Sequence, residues 1–320
     1  VTINKIAVLA GETVTLGAAN KFILASGENV AGSSGIVAPT VDVQAGAKVA
    51  DGVLLVAVGG VVNVAAGTYP ESVSFDKGLT LRGPNVGIAG TGVRGAEAII
   101  TGNSLITGTA TTPVTIDGVK FQTNSVTADV LTLQSASGHV VTNSVFMSSV
   151  SGGNGASPSS RAIATNAFGS GSFTISNNLI AGTPGTFTAA DRFSTAAWRY
   201  GIYSAGQDAA AVIANNRFEN TRTGIGLDDY PNALASVTGN TIVNAGTGIG
   251  INEAPPYLGR IGSLSSITNN TFNNVDTDFS LRNLTGNPAF NLTATGNAAA
   301  SGEVMLVLGG SGNETIVGTS

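Results

Sequence analysis

Short segments in which apolar and polar residues alternate recur along the whole chain. One recurring phrase consists of an apolar residue, two or three small or amide residues, and then one or two apolar residues. Its six clear copies are separated by 25, 34, 38, 24 and 30 residues and begin at Ile116, Val141, Ile175, Ile213, Val237 and Ile267. Alternation over so few residues predicts β-strands, and a repeat near 24 residues with variable insertions predicts a solenoid.

A second strand-like phrase follows each copy of the first. Its copies begin at Val130, Ile163, Ile202, Ile225, Ile249 and Phe279. Three strands per turn, each paired with the coils above and below it, predict an all-β, single-stranded, right-handed parallel β-helix. Inward residues then stack on their counterparts about 4.8 Å away. We expect a cap or irregular first coils over residues 1–49, the β-helix over 50–300 and a separate C-terminal segment over 301–320.

Polar residues also recur at one turn of each coil. Because Asn tolerates the left-handed backbone region and stacked amides hydrogen-bond to one another, we expect this position to form both the turn and an amide ladder. Its members are Asn178, Asn216, Asn240, Asn270 and Asn297, with Ser144 in one coil. We interpret these residues as architecture and not as catalysis, and we expect His139 to be a turn residue as well.

Composition and charge narrow the classes of function. Charged residues are 10% of the chain, hydrophobic residues are 42%, and the net charge is −5. No basic run with interleaved aromatics is present, so we expect no nucleic-acid partner, and no apolar run reaches the length of a transmembrane helix. The chain has no cysteine, which excludes disulfides and cysteine-ligated zinc. We expect a bacterial protein that is extracellular or at the cell surface.

The segment that opens the β-helix carries a family resemblance. Val62-Asn-Val-Ala-Ala-Gly-Thr-Tyr-Pro-Glu71, followed by the short strands at 73–75 and 79–82, resembles the first coils of secreted right-handed β-helix proteins. That superfamily includes the pectate lyases and pectin esterases. The resemblance implies the fold and says little about chemistry, since one fold hosts many activities.

The end of the chain carries a second resemblance. Gly309-Gly-Ser-Gly-Asn-Glu-Thr-Ile-Val317 is similar to the calcium-binding nonapeptide of RTX (repeats-in-toxin) proteins, with Glu314 in place of the usual Asp. The resemblance implies calcium held between adjacent turns and export by a type I route. One copy does not hold calcium alone, because Ca²⁺ takes six to eight oxygen ligands.

Charged and aromatic residues concentrate between 191 and 260, where we expect loop insertions. Alignment of the second phrase places Arg199 beside Arg222. It stacks Asp228 with Asn252 and Arg282, and Asp229 with Glu253 and Asn283. It also turns glycines outward, with Tyr203 at one end of their row: Gly201, Gly224, Gly226, Gly248 and Gly250. The alignment therefore predicts a flat strip with arginines on one rim and carboxylates on the other.

Candidate roles follow from that strip. The candidates for substrate binding are Trp198, Arg199, Tyr200, Tyr203 and Arg222. The catalytic candidates are Arg222, Arg260, Asp228, Asp229 and Glu253. The metal candidates are Asp229, Glu253 and Glu314. Three interpretations stay open: a polysaccharide lies on the glycines, an inserted loop folds flat over them, or copies of the chain pack side by side there.

The complete catalytic signatures of polygalacturonases and pectin esterases are missing from the sequence. We therefore expect a structural, assembly or adhesive β-helix whose partners are cell-surface glycans or other copies of itself. The alternative is a calcium-dependent lyase or epimerase that acts on uronate polymers. In that case Arg222 or Arg260 would serve as the base.

Overall fold

Nearly every described element is a β-strand that pairs in parallel with its counterparts in neighbouring coils. The structure, a computed structural model, describes residues 13–28, 30, 35–107, 109–125, 127, 129–135, 137–149, 160–168, 171–182, 198–205, 210–228, 235–252, 266–282, 293–299, 306–307 and 315–316. Its elements are β1 Val14–Thr15, β2 Lys21–Leu24, β3 Ile36–Val43, α1 Val49–Leu55, β4 Val56–Val64, β5 Gly67–Tyr69, β6 Ser74–Phe75, β7 Leu79–Arg82, β8 Ala98–Ile100, β9 Ser104–Ile106, β10 Val114–Asp117, β11 Lys120–Thr123, β12 Asp129–Ser135, β13 His139–Thr142, β14 Val145–Ser148, β15 Arg161–Phe168, β16 Ser172–Ser176, β17 Leu179–Ala181, β18 Trp198–Ala205, β19 Ala210–Ala214, β20 Arg217–Asp228, β21 Ala235–Thr238, β22 Thr241–Asn252, β23 Ser266–Thr268, β24 Thr271–Arg282, β25 Thr293–Thr295, β26 Ala298–Ala299, β27 Leu306–Val307 and β28 Thr315–Ile316.

The strands of the described residues wind into three faces, as the sequence predicted. The first face is a 13-stranded sheet that contains β4, β7, β10, β13, β16 and β19 in that order. A 15-stranded sheet supplies the second and third faces. Strands β11, β14 and β17 lie on the second face, and β9, β12, β15 and β18 lie on the third. From β20 onward one 12-residue strand per coil covers both of these faces. The molecule is a parallel β-helix.

The core consists of stacked side chains that repeat from coil to coil. On the third face Ile202, Ile225 and Ile249 stand in register and are fully buried. Phe121 and Phe146 stack on adjacent coils, with ring centroids 5.0 Å apart and planes 11° apart. Because each coil buries its apolar residues only against its neighbours, the core is a set of columns along the axis of the solenoid.

The predicted amide ladder is present along the first-to-second-face turn. Each Nδ2 donates to the Oδ1 of the next asparagine at 3.0–3.1 Å, from Asn178 to Asn297. The backbone N–H of Ser144 donates to the Oδ1 of Asn178 and extends the ladder by one coil. However, the residues that form the ladder do not themselves have a left-handed backbone conformation. The residue before each of them takes the positive φ: Asn143, Asn177, Asn215, Gly239, Asn269 and Gly296. The prediction that one asparagine forms both the left-handed turn and the amide ladder is therefore wrong.

A second, shorter amide ladder marks the corner between the second and third faces. Asn220, Asn244 and Asn274 have φ of 58°, 54° and 56°. Asn244 Nδ2 donates to Asn220 Oδ1 at 3.3 Å, and Asn274 Nδ2 donates to Asn244 Oδ1 at 2.6 Å. Here one asparagine supplies both the left-handed turn and the side-chain bond. The strands bend at this corner without being interrupted.

The helix α1 lies at residue 50, where the β-helix was expected to begin. Val49, Val53 and Leu55 are buried, and the helix packs against β3 and β4. The carboxylate of Glu71 accepts the backbone N–H groups of Val49 and Ala50 at 2.7 and 3.1 Å. A carboxylate at this end offsets the positive end of the helix dipole. The last residue of the opening motif thus has a structural role.

Strands on both sides of the expected β-helix limits also join the solenoid. Before residue 50, β3 pairs in parallel with β4. After residue 300, β28 pairs in parallel with β25, so Thr315 and Ile316 of the RTX-like nonapeptide stack as part of another coil. In the part of the chain that the structure describes, no helix has the length and apolar character needed to span a membrane.

His139 is a core residue at the start of β13, and the prediction of a turn residue is wrong. The left-handed turn residue is its neighbour Gly138, with φ of 77°. The imidazole is fully buried; its Nδ1 accepts from the Val114 N–H at 3.0 Å and its Nε2 lies 2.8 Å from Ser135 Oγ. Ser135 Oγ donates to a backbone carbonyl, so Nε2 carries the proton and the ring is neutral. Burial lowers the pKa of His139 to about 4.

Candidate functional site

The described part of the predicted site lies on the third face, on strands β18, β20 and β22. Trp198 pairs with Thr221 and Tyr200 pairs with Thr223, so Arg199 stands beside Arg222 on the next coil. The predicted position of Arg199 beside Arg222 on the adjacent coil is confirmed. Arg199 is exposed and Arg222 is half-buried. Both therefore reach the outer surface, about 4.8 Å apart at the backbone.

The register after the strand is confirmed too. Asp228, Asn252 and Arg282 are successive backbone partners at the ends of β20, β22 and β24. The remaining members of the predicted rim and metal site lie outside the described residues: Asp229, Glu253, Arg260 and Glu314. Among the described residues, no three acidic or histidine side chains gather into a cluster that could hold a metal ion.

Trp198 lies in the core and not on the outer face. Its side chain is fully buried, and the indole Nε1 donates to the Ala181 carbonyl at 3.1 Å. The same column continues with Thr221, which is also fully buried. The prediction that Trp198 binds substrate is therefore wrong, because a ligand on the surface does not reach its buried ring.

Most of the predicted glycine strip faces inward. A Cβ added to Gly201 or Gly248 would lie 2.5 Å from the ring of Phe218 or Phe272, both of which are core residues. Gly224 faces the core in the same way, toward Ile242 at 3.2 Å. Each of these glycines and the isoleucine that follows it are both buried, so the strict alternation of a straight strand is interrupted at this point. These glycines make room for large core side chains.

Two of the five glycines face outward as predicted. The ring of Tyr200 lies on Gly226, where a Cβ would stand 2.7 Å from its Cε1 atom. Gly250 is open, with no atom closer than 3.9 Å to a Cβ built on it. The methyl groups of Thr223 and Thr247 border that open position. The floor of the site is thus one small gap beside Tyr200 and not a long strip.

Tyr200 and Tyr203, the tyrosine pair, form the centre of a stacked surface cluster. Their ring centroids are 4.8 Å apart, with the planes tilted by 51°. The Arg161 guanidinium lies 4.7 Å from the centre of the Tyr203 ring, and the Arg199 guanidinium lies 5.4 Å from that of Tyr200. Both distances are within the range of cation–π attraction. The two tyrosines are thus packed against arginines of this chain.

Two residues at the far end of this cluster are absent from the sequence prediction. Asp129 accepts two hydrogen bonds from Arg161, on β12 and β15 respectively, at 2.7 Å from Nε and 2.6 Å from Nη2. These bonds raise the pKa of Arg161. The sequence does hold a signal, since Asp129, Arg161 and Tyr200 stand at one register position on successive coils.

The electrostatics divide the arginines of the cluster into two kinds. The charge of Arg161 is neutralised by Asp129 at the same depth in the surface. None of the ion pairs formed within the described residues involves Arg199. The exposed Arg199 therefore adds positive charge to this part of the third face, on a chain whose net charge is −5. Such a charge favours an anionic group.

Comparison with known protein-family models and with curated proteins gives no match to this chain.

Proposed function

We propose that this chain is an extracellular or cell-surface β-helix with an adhesive or assembly role, and that it holds glycan chains on its third face. The observation that supports the proposal best is the cluster of Arg199, Arg222 and the tyrosine pair on the outside of a rigid sheet. Solenoid proteins use such extended faces for binding. Aromatic and arginine side chains dominate recognition surfaces, whereas most of the outer positions here are small.

The two family resemblances support the location in this proposal. The opening motif ending at Glu71 is similar to that of secreted β-helix proteins. The RTX-like nonapeptide with Glu314 points to type I export and to calcium bound between adjacent turns. The absence of cysteine suits a protein that meets an oxidising environment without bridges.

A binding assay tests the proposal. The whole chain is passed over a panel of immobilised bacterial and plant polysaccharides, beside the variants Arg199→Ala and Tyr200→Ala. Thr115→Ala, at an outward position of the first face, is the matched control. We expect retention on at least one glycan, weakened by the first two variants and kept by the control. Equal retention of all three variants, or retention on no glycan, contradicts the proposal.

Self-assembly is tested with the same protein. Electron microscopy over a range of concentrations shows whether the chains pack into rods or sheets. Assembly that is kept in Arg199→Ala would assign self-assembly to another surface. Assembly that occurs only when a glycan is present would show that glycan binding and self-assembly depend on each other.

The alternative proposal is a lyase or epimerase for uronate polymers, with Arg222 as base. The observation in its favour is the position of Arg222 on the outer side of the third face, beside Arg199 on the adjacent coil. Incubation with pectate and alginate in the presence of calcium, followed by detection of the unsaturated product, tests it. Product that disappears in Arg222→Lys supports the enzyme. Absence of product on both polymers leaves the adhesive role.

A further inference from the structure

We infer that residues 83–97 form a strap that locks four successive coils of the solenoid into one cooperative unit, and that this unit keeps the tyrosine pair of the third face in place. A coil of a solenoid ordinarily contacts only the coils next to it. The strap adds bonds between coils that are not neighbours. The inference concerns the coils themselves and does not depend on the ligand of the proposed function.

The strap is an insertion at the turn between the first and second faces. It joins β7 to β8, whereas the same turn in the next three coils spans only 118–119, 143–144 and 177–178. The strap belongs to a first coil, β7–β9, and lies over a second, third and fourth coil, which are β10–β12, β13–β15 and β16–β18.

The strap bonds directly to the turns of the second and third coils. The backbone N–H of Gly87 donates to Asp117 Oδ1 in the second coil at 3.0 Å. Arg94 Nη1 donates to the Asn143 carbonyl in the third coil at 2.7 Å. Asp117 Oδ1 also accepts from Asn143 Nδ2 at 2.9 Å, which joins the second and third coils under the strap.

The tip of the strap reaches the fourth coil. The Gly90 N–H donates to the Asn177 carbonyl at 2.8 Å. A Cβ built on Gly90 would lie 2.3 Å from the Leu179 nitrogen and 2.6 Å from the Ser144 carbonyl oxygen, so only glycine permits this approach of the two backbones. The strap thus connects the first coil with the fourth, although their described strands are not neighbours in either sheet.

An ion pair and a buried amide make the strap rigid. Arg94 binds both carboxylate oxygens of Glu97, at 2.6 Å from Nε and 3.1 Å from Nη2, and these side chains are 8% and 16% exposed. Arg94 Nη1 also donates to the Ile88 carbonyl at 2.8 Å. The side-chain oxygen of the buried Asn85 accepts the Gly95 N–H at 2.7 Å and so ties the two ends of the strap together. A bidentate pair fixes the plane of the guanidinium as well as its place.

The strap covers the coils in which the amide ladder is missing. The ladder runs from Asn178 toward the C-terminus, and the matching positions of the third and second coils hold Ser144 and Val119. Neither of these side chains has an amide that could continue the ladder. At this turn Arg94 and Gly90 supply the bonds between coils instead.

The strapped coils carry the tyrosine pair and its supports on their third faces. Asp129 lies on the second coil, Arg161 on the third, and Tyr200 and Tyr203 on the fourth. The bonds from Asp129 to Arg161 and the contact of Arg161 with the Tyr203 ring join these coils pairwise, so they need the coils to keep their register. We therefore expect the strap to order the tyrosine pair from another corner of the solenoid.

Hydrogen exchange of the whole chain, measured by mass spectrometry, tests the cooperative unit. The variant Arg94→Met with Glu97→Gln removes the ion pair and the bond to the third coil and keeps the net charge. We expect exchange in β13–β18 to become about 10-fold faster or more, the usual result of losing charge-assisted hydrogen bonds. The matched control is Arg217→Met with Glu219→Gln, whose ion pair lies within the single strand β20 and should leave these strands unchanged. Acceleration confined to residues 83–97, or equal in the control, overturns the inference.

A pair of glycine variants tests the tip of the strap while the ion pair stays intact. The methyl of Gly90→Ala would meet the Leu179 nitrogen and lift the tip, whereas that of Gly95→Ala would have its nearest atom, Asn85 Oδ1, 3.7 Å away. We expect Gly90→Ala alone to accelerate exchange in β16 and β17 and to weaken the tyrosine signal in near-ultraviolet circular dichroism. Equal effects of the two variants refute the strap. An unchanged tyrosine signal in Gly90→Ala refutes its link to the third face.

Discussion

Acid should destabilise the folded chain through its single histidine, His139. Inside the solenoid Nδ1 accepts a hydrogen bond from the Val114 N–H at 3.0 Å. Protonation places a hydrogen on Nδ1, which breaks this bond and leaves a charge in an apolar core. Burial accordingly lowers the pKa of His139 from 6.5 to about 4.

The size of the effect follows from the two pKa values. The unfolded chain takes up the proton near pH 6.5, whereas the folded chain resists it until about pH 4. The contribution of His139 to stability is therefore complete above pH 6.5 and is lost as the pH falls toward 4. A shift of this size corresponds to about 3 kcal/mol of unfolding free energy, at about 1.4 kcal/mol for each pKa unit.

The assay is urea unfolding of the wild type and of His139→Gln at about pH 7.5 and about pH 4.5. Acidic residues titrate in both proteins, so their effect cancels in the comparison. We expect the wild type to lose about 2–3 kcal/mol more than the variant between the two conditions. An equal loss in both proteins would refute the assignment of His139 as a neutral, buried group.

The other predictions concern the ladders and the glycines. Asn240→Ala removes a buried amide that joins neighbouring coils, and we expect a loss of about 3 kcal/mol or more in urea unfolding, against a smaller loss for Asn297→Ala at the end of the ladder. Gly248→Ala would press a methyl against the ring of Phe272, 2.5 Å away, and should cost about 1–3 kcal/mol. In Gly250→Ala the added methyl has no atom closer than 3.9 Å, so the melting temperature should change little. Equal effects in either pair would contradict the geometry.

The sequence alone was sufficient to predict the repeat and the register of the strands on the third face. In a parallel β-helix each coil repeats the geometry of the last, so one correct alignment of inward residues places every neighbour. Alignment of Ile202 with Ile225 and Ile249 therefore placed Arg199 beside Arg222 correctly. The amide ladder was predictable for the same reason, as its residues recur once per coil.

Deviations from a straight strand were not predictable from alternation. The left-handed residues Asn220 and Asn244 turn the long strands around a corner, and further along each of these strands a glycine and the isoleucine after it are both buried, so that strict alternation is lost there. Gly248 thereby faces the core instead of the solvent.

Tertiary packing accounts for the remaining differences between the sequence predictions and the structure. Trp198 lies in the core because burial of its large apolar ring is favourable and because its indole N–H donates to the backbone carbonyl of Ala181. The segment 49–55 has apolar spacing that fits a strand or a helix, and packing against β3 and β4 with the Glu71 cap selects the helix. The pair of Asp129 and Arg161 could have been found, because opposite charges occupy one register position on adjacent coils.

The distance between two spin labels tests the stacked register most directly, since the site depends on it. The chain has no cysteine, so Leu105→Cys with Gly250→Cys gives two unique labels on one outward column of the third face. Five rungs separate these positions through Thr132, Ala164 and Tyr203. We predict one distance peak near about 24 Å, five times the spacing of neighbouring strands. Several peaks, or a distance more than about 10 Å away from this value, would contradict the coil register and with it the arginine site.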